Sequence, residues 1–416
     1  MKTLLKGFGV LVLFACTWLL GFGWRDFEHL HAPNLSALQS LVGVNDAGSP
    51  SADEVFRTNY DRIRSDYARS LSPVTLKYAG MSGLMEATGD AHTTFLPPVS
   101  AKDFDETTQA QFGGVGASLL PDPLGAKADT VFEDGPAYGA GMRSGDLIIG
   151  VNGQTLAGID IDKIVQKIRG PEGSTVRLTV MKPGQKKPEV MSIHRAMVTA
   201  PTVLSKFLTA SDVGYLAVVG FDEPTAEQFD KELAKLEAHK GMKGLVIDLR
   251  GNPGGLLETA RDMLSRWVED KTVVTMKFRE GSETASTYSG FLHKFDYPVV
   301  VLINEDTASA AEIFSGALHD YKLATLVGEH SYGKDSVQNV WKMLDGASAK
   351  ITIAHYFLPT TPDIGRKEDV DGNYLSGGLQ PDIKVDLPTD LPVTIGDPSK
   401  NDTQLEKAIE VIDSKQ

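Results

Sequence analysis

Two residues that could act as nucleophile and base, Ser309 and Lys334, lie 25 positions apart. The continuous apolar run at residues 299–303 is typical of a strand buried on both faces of an α/β sheet. Ser309 follows in the first turn of a predicted helix, where unpaired backbone N–H groups favour an anion. This arrangement predicts a serine activated by a lysine, which is acyl-transfer chemistry.

Each of these residues also has an ordinary structural explanation. Serine is a favoured helix cap, and a lone lysine is usually a solvated surface side chain. As a base, Lys334 must be neutral, so its pKa has to fall well below the free value of about 10.4. Burial against the predicted strand and helix would lower the pKa in this direction.

A glycine pair follows a second apolar run, at residues 244–247, within the segment Asp-Leu-Arg-Gly-Asn-Pro-Gly-Gly at 248–255. Glycines let the backbone approach a substrate closely and aim N–H groups at a developing oxyanion. A simple Asn-Pro-Gly-Gly turn is the alternative interpretation. With Ser309 downstream, we favour an oxyanion hole.

Histidine offers a competing mechanism. The nine histidines are scattered without a metal-ligand spacing such as His-Glu-x-x-His, so no metal site is predicted. A Ser/His/Asp triad stays open as an alternative, because triad members need not be adjacent in the chain. His319 and His330 lie nearest to the serine and lysine along the chain, and we interpret both as structural or surface residues.

The segment around Ser309 resembles the C-terminal processing peptidases, a family of serine proteases with a Ser/Lys dyad. The match runs through Ser-Ala-Ala-Glu from residue 309, Ala-Leu-His-Asp-Tyr from 317, Val-Gly-Glu from 327, Gly-Lys from 333 and Ser-Val-Gln from 336. The resemblance implies no metal or organic cofactor. It implies these roles: Ser309 as nucleophile, Lys334 as general base, Gln338 as the residue that orients the lysine, the N–H groups of Gly255 and Ala310 as the oxyanion hole, and Asp320 as a carboxylate needed for structural integrity near the site.

Residues 111–197 resemble a PDZ domain of the protease-associated type, here called the PDZ module. The resemblance rests on Phe-Gly-Gly-Val-Gly-Ala at 112–117, Gly-Asp-Leu-Ile at 145–148 and an amphipathic helix at 161–168. Such a domain binds a chain end by adding it to a sheet edge, so substrates with apolar C-termini are expected. The implied peptide-binding residues are Gly114, Val115, Gly116, Ala117, Ile161, Ile164, Val165 and Ile168.

The resemblance covers residues 53–387 and implies a multidomain α/β protein. Its expected parts are a crotonase-like α/β protease core, an inserted β-rich PDZ domain with helices, and an N-terminal helical region that ends in the family-like signature Gly-Asp-Ala-His-Thr at 89–93. The predicted divisions are a signal peptide or membrane anchor (1–24), a linker (25–52), the helical region with part of the core (53–110), the PDZ domain (111–197), the catalytic core (198–390) and a C-terminal tail with a short helix (391–416).

The N-terminus indicates where the protein works. Two lysines precede an almost wholly apolar run at residues 8–24, which is typical of a signal peptide or a short membrane anchor. Three interpretations stay open, namely an uncleaved anchor, a cleaved signal and lipidation at Cys16, and we prefer the anchor. We therefore expect an extracytoplasmic location in the cell envelope, in the periplasm or at the outer face of the cytoplasmic membrane.

These features together predict an exported serine endopeptidase that recognises C-terminal tails through its PDZ module. A net charge of −14 offers no electrostatic footprint for nucleic acid. The alternative is a non-catalytic or activator-dependent scaffold with a degenerate protease core. Asp335 keeps that alternative open, because it follows Lys334 where the family commonly has glycine, although neighbours in an extended segment point to opposite sides. An adaptor or activator protein and a homo-oligomer are further expected partners.

Overall fold

The computed structural model describes residues 51–361, 363–387 and 402–415. The predicted anchor with Cys16, the linker up to residue 50 and the first part of the predicted tail lie outside these ranges. None of the helices within them has both the length and the apolar character that crossing a bilayer requires. The described chain begins with helices α1 (Ala52–Asp66) and α2 (Pro73–Glu86), strand β1 (Thr94–Leu96) and helix α3 (Pro98–Thr108).

The PDZ module follows as a separate unit with its own apolar cluster. Strands β2 and β9 pair antiparallel, so the module begins and ends at the same place, as an insertion requires. The main sheet has the order β3-β4-β5-β7-β8, with β6 on β5. The elements of the whole module are β2 (Gln111–Gly114), β3 (Ala117–Asp122), β4 (Gly125–Val131), α4 (Pro136–Gly139), β5 (Leu147–Val151), β6 (Gln154–Thr155), α5 (Ile161–Ile168), β7 (Thr175–Met181), β8 (Glu189–His194) and β9 (Ala196–Thr199).

The core is built on a second sheet with the order β10-β11-β12-β15-β16-β21. Every residue of β11, β12 and β15 is buried, because helices cover both faces. The buried-strand prediction for residues 299–303 is thus confirmed. The elements are β10 (Val203–Leu208), β11 (Val213–Val218), α6 (Thr225–Glu237), β12 (Gly244–Asp248), α7 (Leu257–Leu264), β15 (Val299–Ile303), α8 (Ala310–Asp320), β16 (Thr325–Gly328), β21 (Ile383–Lys384) and α9 (Thr403–Asp413).

A third sheet contains strands from both the N-terminal region and the core. Strand β18 pairs antiparallel with β1, β13 and β17, and β14 extends the sheet beyond β13. Because β1 belongs to the N-terminal region, this sheet joins that region to the core. Its remaining strands are β13 (Thr272–Phe278), β14 (Ser282–Ser286), β17 (Ser336–Lys342) and β18 (Ser348–Phe357), and a separate hairpin consists of β19 (Lys367–Glu368) and β20 (Tyr374–Ser376).

Helix α9 is part of the core, although the predicted boundary at residue 390 placed it in a polar tail. Its apolar side packs against β11, β12 and β15, and a Cβ atom at Gly244 would overlap Ile412. The buried Arg250, just after β12, reaches Asp402 at the start of α9, with Nη2 2.8 Å from Oδ2. The same guanidinium pairs with Asp248 at 2.6 Å. This ion cluster fixes α9 to the sheet from 152 residues away in the chain.

Candidate active site

Ser309 lies at the junction between the loop after β15 and helix α8, as the sequence predicted. Its backbone φ is 56°, in the region that residues other than glycine rarely adopt. Strained backbone of this kind persists only where surrounding contacts hold it, and it is common at reactive turns.

Glu312 supplies one such contact through its fully buried carboxylate. Oε2 accepts the N–H groups of Ser309 at 2.8 Å and of Lys334 at 2.9 Å. Oε1 accepts the Gly333 N–H at 2.7 Å and the Ser331 hydroxyl. Burial raises the pKa of Glu312 to about 7 against these four hydrogen bonds, each of which lowers it. One carboxylate thus holds the backbone of the proposed nucleophile and that of the proposed base together.

Tyr356 on β18 makes the complementary contact. Its buried hydroxyl donates to the Lys334 carbonyl and lies 3.4 Å from the Ser309 carbonyl. Burial raises the pKa of Tyr356 well above its ordinary value, so the hydroxyl stays protonated and able to donate. The two backbone segments are therefore held through their N–H groups by Glu312 and through their carbonyl groups by Tyr356.

Lys334 sits in surroundings that favour the neutral amine. Burial and, secondarily, the positive charge of Lys350 lower its pKa to about 8, against the opposing effects of Glu312 and Asp90. Asp335 points elsewhere: its Oδ2 lies 2.9 Å from Nδ1 of His355. The carboxylate after the lysine is therefore engaged with a neighbouring side chain rather than with Lys334.

The glycine pair lies against the N-terminus of α8. A Cβ atom at Gly254 would lie 2.6 Å from Ala308 O and 2.7 Å from Ser309 Cβ, so only glycine fits there. Gly255 has φ of 142° and bridges to Phe221. Among the described residues, neither the Gly255 N–H nor the Ala310 N–H has a hydrogen-bond acceptor. Both N–H groups are thus available to an oxyanion beside Ser309.

The other predicted residues are placed as follows. Gln338 donates from Nε2 to Ser336 Oγ at 2.9 Å and to Thr352 Oγ1 at 3.1 Å, and within the described ranges it has no hydrogen bond to Lys334. Asp320 lies at the far end of α8, where its carboxylate accepts the N–H groups of Thr360 at 2.7 Å and Thr361 at 2.9 Å.

The two histidines nearest in sequence are engaged outside the site. His319 Nε2 lies 3.0 Å from Asp382, and His330 stacks on Tyr374 at 3.9 Å between ring centroids. His92 instead lies near Lys334. Burial of the imidazole and, secondarily, the positive charge of Lys334 lower the pKa of His92. The interpretation of His319 and His330 as structural or surface residues agrees with these contacts, whereas His92, which precedes β1, comes near Lys334 because β1 pairs with β18.

In the PDZ module, the predicted peptide-binding residues divide into two groups. Ile161, Ile164 and Ile168 are buried in the module's apolar cluster, whereas Val165 is only partly buried beside them. Strand β3 is an edge strand of its sheet. Within the part of the chain that is described, the N–H groups of Val115 and Gly116 have no acceptor. An open edge and free N–H groups are what β-addition of a chain end needs.

Sequence reasoning missed three contributors to the site. Glu312 was noted only as a letter of a motif, and neither Tyr356 nor Lys350 was considered. Alternation along β18 could not have found the lysine and the tyrosine together, because the strand is irregular between residues 352 and 354 and Lys350 and Tyr356 lie on opposite faces. Nothing in the local sequence indicates which face meets Ser309.

Comparisons with known proteins give a consistent result. The family model "Peptidase family S41" matches residues 212–385, and a PDZ domain model matches residues 129–182. The carboxy-terminal processing proteases CtpB and CtpA of Bacillus subtilis are each 31% identical, over 360 and 353 residues; the matches span 86% and 84% of this chain and 72% of each relative. A Bacteroides fragilis protein described as an S41 protease has a TM-score of 0.50 at 15% identity, covering 90% of this chain and 100% of that one. This last likeness is one of fold alone.

Proposed function

Because the chain belongs to the carboxy-terminal processing proteases of peptidase family S41, we propose that Ser309 is its nucleophile and Lys334 its general base. Ser309 attacks a peptide carbonyl while Lys334 takes the hydroxyl proton. The tetrahedral oxyanion binds the N–H groups of Gly255 and Ala310, and water then hydrolyses the acyl-enzyme. The observation that carries this proposal is the Glu312 carboxylate, which joins the backbones of both residues.

Lys334 suits the role of base because its pKa of about 8 leaves a useful neutral fraction near neutral pH. Gln338 is proposed, on the family likeness, to orient the lysine, and its own amide is held by Ser336 and Thr352. Asp320 is proposed to support the site by fixing the far end of α8 to Thr360 and Thr361.

We also propose that the PDZ module delivers the substrate. An apolar C-terminal tail would extend β3, place its carboxylate on the N–H groups of Val115 and Gly116, and contact Val165 on α5. Export to the extracytoplasmic side, with an uncleaved anchor, is supported by the lysines and the apolar run at residues 8–24. A homo-oligomer and an adaptor protein are proposed as partners on the family likeness alone.

An activator-dependent protease is the second candidate. One observation favours it: in the described ranges, no hydrogen bond joins Lys334 Nζ to Ser309 Oγ. Substrate or a partner would then bring the amine to the hydroxyl, and the PDZ module, inserted before the core, is the natural place for such control.

The test is proteolysis of an unfolded model protein with an apolar C-terminus by the full chain. Ser309→Ala and Lys334→Ala should both abolish cleavage, while the exposed controls Ser289→Ala and Lys294→Ala should cleave as the wild type does. Cleavage retained by either active-site variant would refute the dyad. A wild type that becomes active only with an added partner would support the activator-dependent form.

A further inference from the structure

The two proposed oxyanion donors belong to different segments of the chain. Gly255 lies in the loop that follows β12, whereas Ala310 is the first residue of helix α8. An oxyanion hole is effective when both N–H groups are held in advance at about 2.7–3.1 Å from the position that the oxyanion will occupy. The spacing between the glycine loop, here residues 251–256, and the start of α8 therefore has to be fixed by contacts within the protein.

Asn252 lies where the glycine loop meets α8. Its backbone carbonyl accepts the Ala308 N–H at 2.9 Å, which anchors residue 252 just before the helix. Its side-chain Oδ1 accepts the Gly254 N–H at 2.8 Å, and its Nδ2 donates to the Val218 carbonyl at 2.7 Å, at the end of β11. The side chain is fully buried, so water does not compete for these bonds. One residue thus ties the glycine loop to the start of the helix and to a strand of the sheet.

The residues on either side of Gly255 are also held by Phe221, which follows β11. The Phe221 N–H donates to the Gly254 carbonyl at 2.8 Å, and the Phe221 carbonyl accepts the Leu256 N–H at 2.7 Å. These bonds use the neighbours of Gly255, and in the part of the chain that the structure describes the N–H of Gly255 itself has no acceptor. The loop is therefore fixed on both sides of a donor that stays open.

Two other side chains join the same segments, but further from the donor. Asn304 Oδ1 accepts the Gly251 N–H at 2.9 Å, and the Thr307 hydroxyl donates to the Leu249 carbonyl at 2.9 Å. Both bonds attach to the chain before Asn252. They hold the beginning of the loop, so the path from residue 252 to the glycine pair depends on the asparagine side chain.

The contacts of Asn252 exceed what a turn requires. In an Asn-Pro-Gly-Gly turn the asparagine side chain bonds to the backbone N–H two residues on, and the bond to Gly254 is of this local kind. The bond to Val218 joins it instead to a strand 34 residues away, and the bond to Ala308 joins it to α8. The residue therefore fixes the turn both within the sheet and against the helix.

We propose that Asn252 is a positioning residue that sets the spacing between the Gly255 and Ala310 N–H groups. The inference rests on the proposed mechanism, in which Ser309 is the nucleophile. Both polar atoms of the Asn252 side chain are bonded to backbone groups, so the residue acts through the glycine loop and touches no reacting atom. Misplaced donors weaken binding of the transition state but leave binding of the substrate unchanged. The expected defect is therefore in kcat.

The test measures kcat and KM of the full-length wild type, Asn252→Ala and Asn252→Ser. Asn252→Ala removes both side-chain bonds, whereas a serine hydroxyl can make the local bond to the Gly254 N–H more weakly. A misplacement of about 1 Å can cost about 10²-fold in rate, so we expect kcat of Asn252→Ala to fall about 10²-fold, with KM within about twofold of the wild type. Asn252→Ser should recover about tenfold of that loss, because it restores one of the two bonds.

Ser265→Ala is the matched control for the loss of buried hydrogen bonds. Ser265 is equally buried, donates to the Arg261 carbonyl at 2.8 Å and accepts the Tyr288 N–H at 2.9 Å, at the end of α7. Like Asn252, it therefore joins two backbone segments through one side chain. Ser265→Ala should lower the midpoint of thermal unfolding but keep kcat.

A second measurement does not depend on turnover. A peptide aldehyde forms a tetrahedral adduct with the proposed nucleophile and places its oxygen in the hole, whereas the corresponding peptide alcohol cannot form the adduct. We expect Asn252→Ala to weaken binding of the aldehyde by about the factor lost in kcat/KM and to bind the alcohol as the wild type does.

The outcomes separate the inference from the proposed mechanism. Unchanged kcat and aldehyde affinity in Asn252→Ala would overturn the inference, and Asn252→Ser decides in the same way if the alanine variant does not fold. A rise in KM with kcat kept, or an equal fall of kcat in Ser265→Ala, would also overturn it. If Ser309→Ala still cleaves, the proposed mechanism fails and the inference falls with it; if Ser309→Ala is inactive while Asn252→Ala keeps full kcat, the inference alone fails.

Discussion

The core and the PDZ module both bury arginine side chains, and Arg250 of the core and Arg195 of the module are satisfied in different ways. In the core, Arg250 pairs with two buried carboxylates, Asp248 at the end of β12 and Asp402 at the start of α9. In the PDZ module, Arg195 donates to neutral oxygens, the Ile168 carbonyl at 2.7 Å and the Ser174 hydroxyl at 3.0 Å among them. The module's arginine thus ends helix α5, where a cation is favoured by the helix dipole.

The proposed catalytic groups of the core and the proposed peptide-binding groups of the PDZ module also differ in how their polar atoms are satisfied. Glu312 and Tyr356 join the segments of Ser309 and Lys334, which are 25 positions apart, through partly buried hydrogen bonds. The PDZ module instead leaves a strand edge and backbone N–H groups open. The proposed catalytic groups are thus preorganised by long-range contacts, whereas the proposed tail-binding groups stay unpaired until a ligand arrives.

The largest expected effect is on the free energy of unfolding, when each of the two arginines is replaced. Arg250→Met leaves Asp248 and Asp402 as uncompensated buried charges, so we expect the free energy of unfolding to fall by about 3–5 kcal/mol. Arg195→Met leaves only neutral carbonyl and hydroxyl groups unpaired, at a cost of about 1–3 kcal/mol. Urea denaturation of both variants measures the two costs. Equal losses would remove the contrast between core and module.

Gly254→Ala should damage catalysis without comparable damage to recognition. Its Cβ atom would press on Ala308 and Ser309 and displace the N–H groups beside them. Loss of one oxyanion donor typically lowers kcat by about 10²–10³-fold, which is the decrease expected here. Peptide binding by the PDZ module should stay unchanged. The control is Gly83→Ala in α2, where an added Cβ meets nothing within 4 Å; a kcat near that of the wild type for Gly254→Ala would argue against the proposed oxyanion hole.

Glu312→Gln probes the contact that joins nucleophile and base. The amide keeps the shape, but the NH2 group replaces an oxygen that accepts two of the four donors, and each donor left unpaired costs about 1–3 kcal/mol. We expect kcat to fall about 10–100-fold, with KM little changed because the substrate does not touch this residue. The steady-state split of kcat and KM measures this effect. A rise in KM alone would show that Glu312 shapes the binding cleft instead.

Lys334→Met should inactivate the enzyme and stabilise it at neutral pH. The folded protein releases the Lys334 proton near pH 8, whereas the unfolded chain holds it to its ordinary value of 10.5. The unfolded state therefore binds more protons between these pH values, and the wild type gains stability as pH rises through that window. The advantage of Lys334→Met in thermal unfolding should consequently shrink from pH 8 to pH 10. An advantage that does not vary with pH would contradict the lowered pKa.

Val165→Asp should give the smallest effect, and one confined to the PDZ module. Val165 is only partly buried, so the fold should tolerate a polar side chain there. A carboxylate at this position would remove an apolar contact with the tail and would repel the tail's terminal carboxylate. We expect about tenfold weaker binding of a peptide with an apolar C-terminus, measured by fluorescence anisotropy, which corresponds to about 1.4 kcal/mol. Glu189→Gln, on the opposite edge strand β8, is the control. A fall in stability as large as that of Arg195→Met would show that Val165 belongs to the interior.

Local patterns in the sequence determined the elements of this protein and their order. The apolar run before Ser309, the glycines after residue 250 and the amphipathic helix of the PDZ module each depend on neighbours a few positions apart, so strand, turn and helix could be predicted from the residues themselves. The family resemblance added the roles of Ser309, Lys334 and Gln338, which remain predictions.

Only the tertiary structure decided which distant groups meet. Asp402 reaches Arg250 across 152 positions, and Thr93, beside Asp90, reaches Thr352 across 259. No local period reports such contacts, and for that reason α9 looked like a tail and His319 and His330 looked closer to the site than His92. The sequence analysis required a lowered pKa for Lys334. Burial and, secondarily, the positive charge of Lys350 lower it to about 8, and both depend on how separate segments pack.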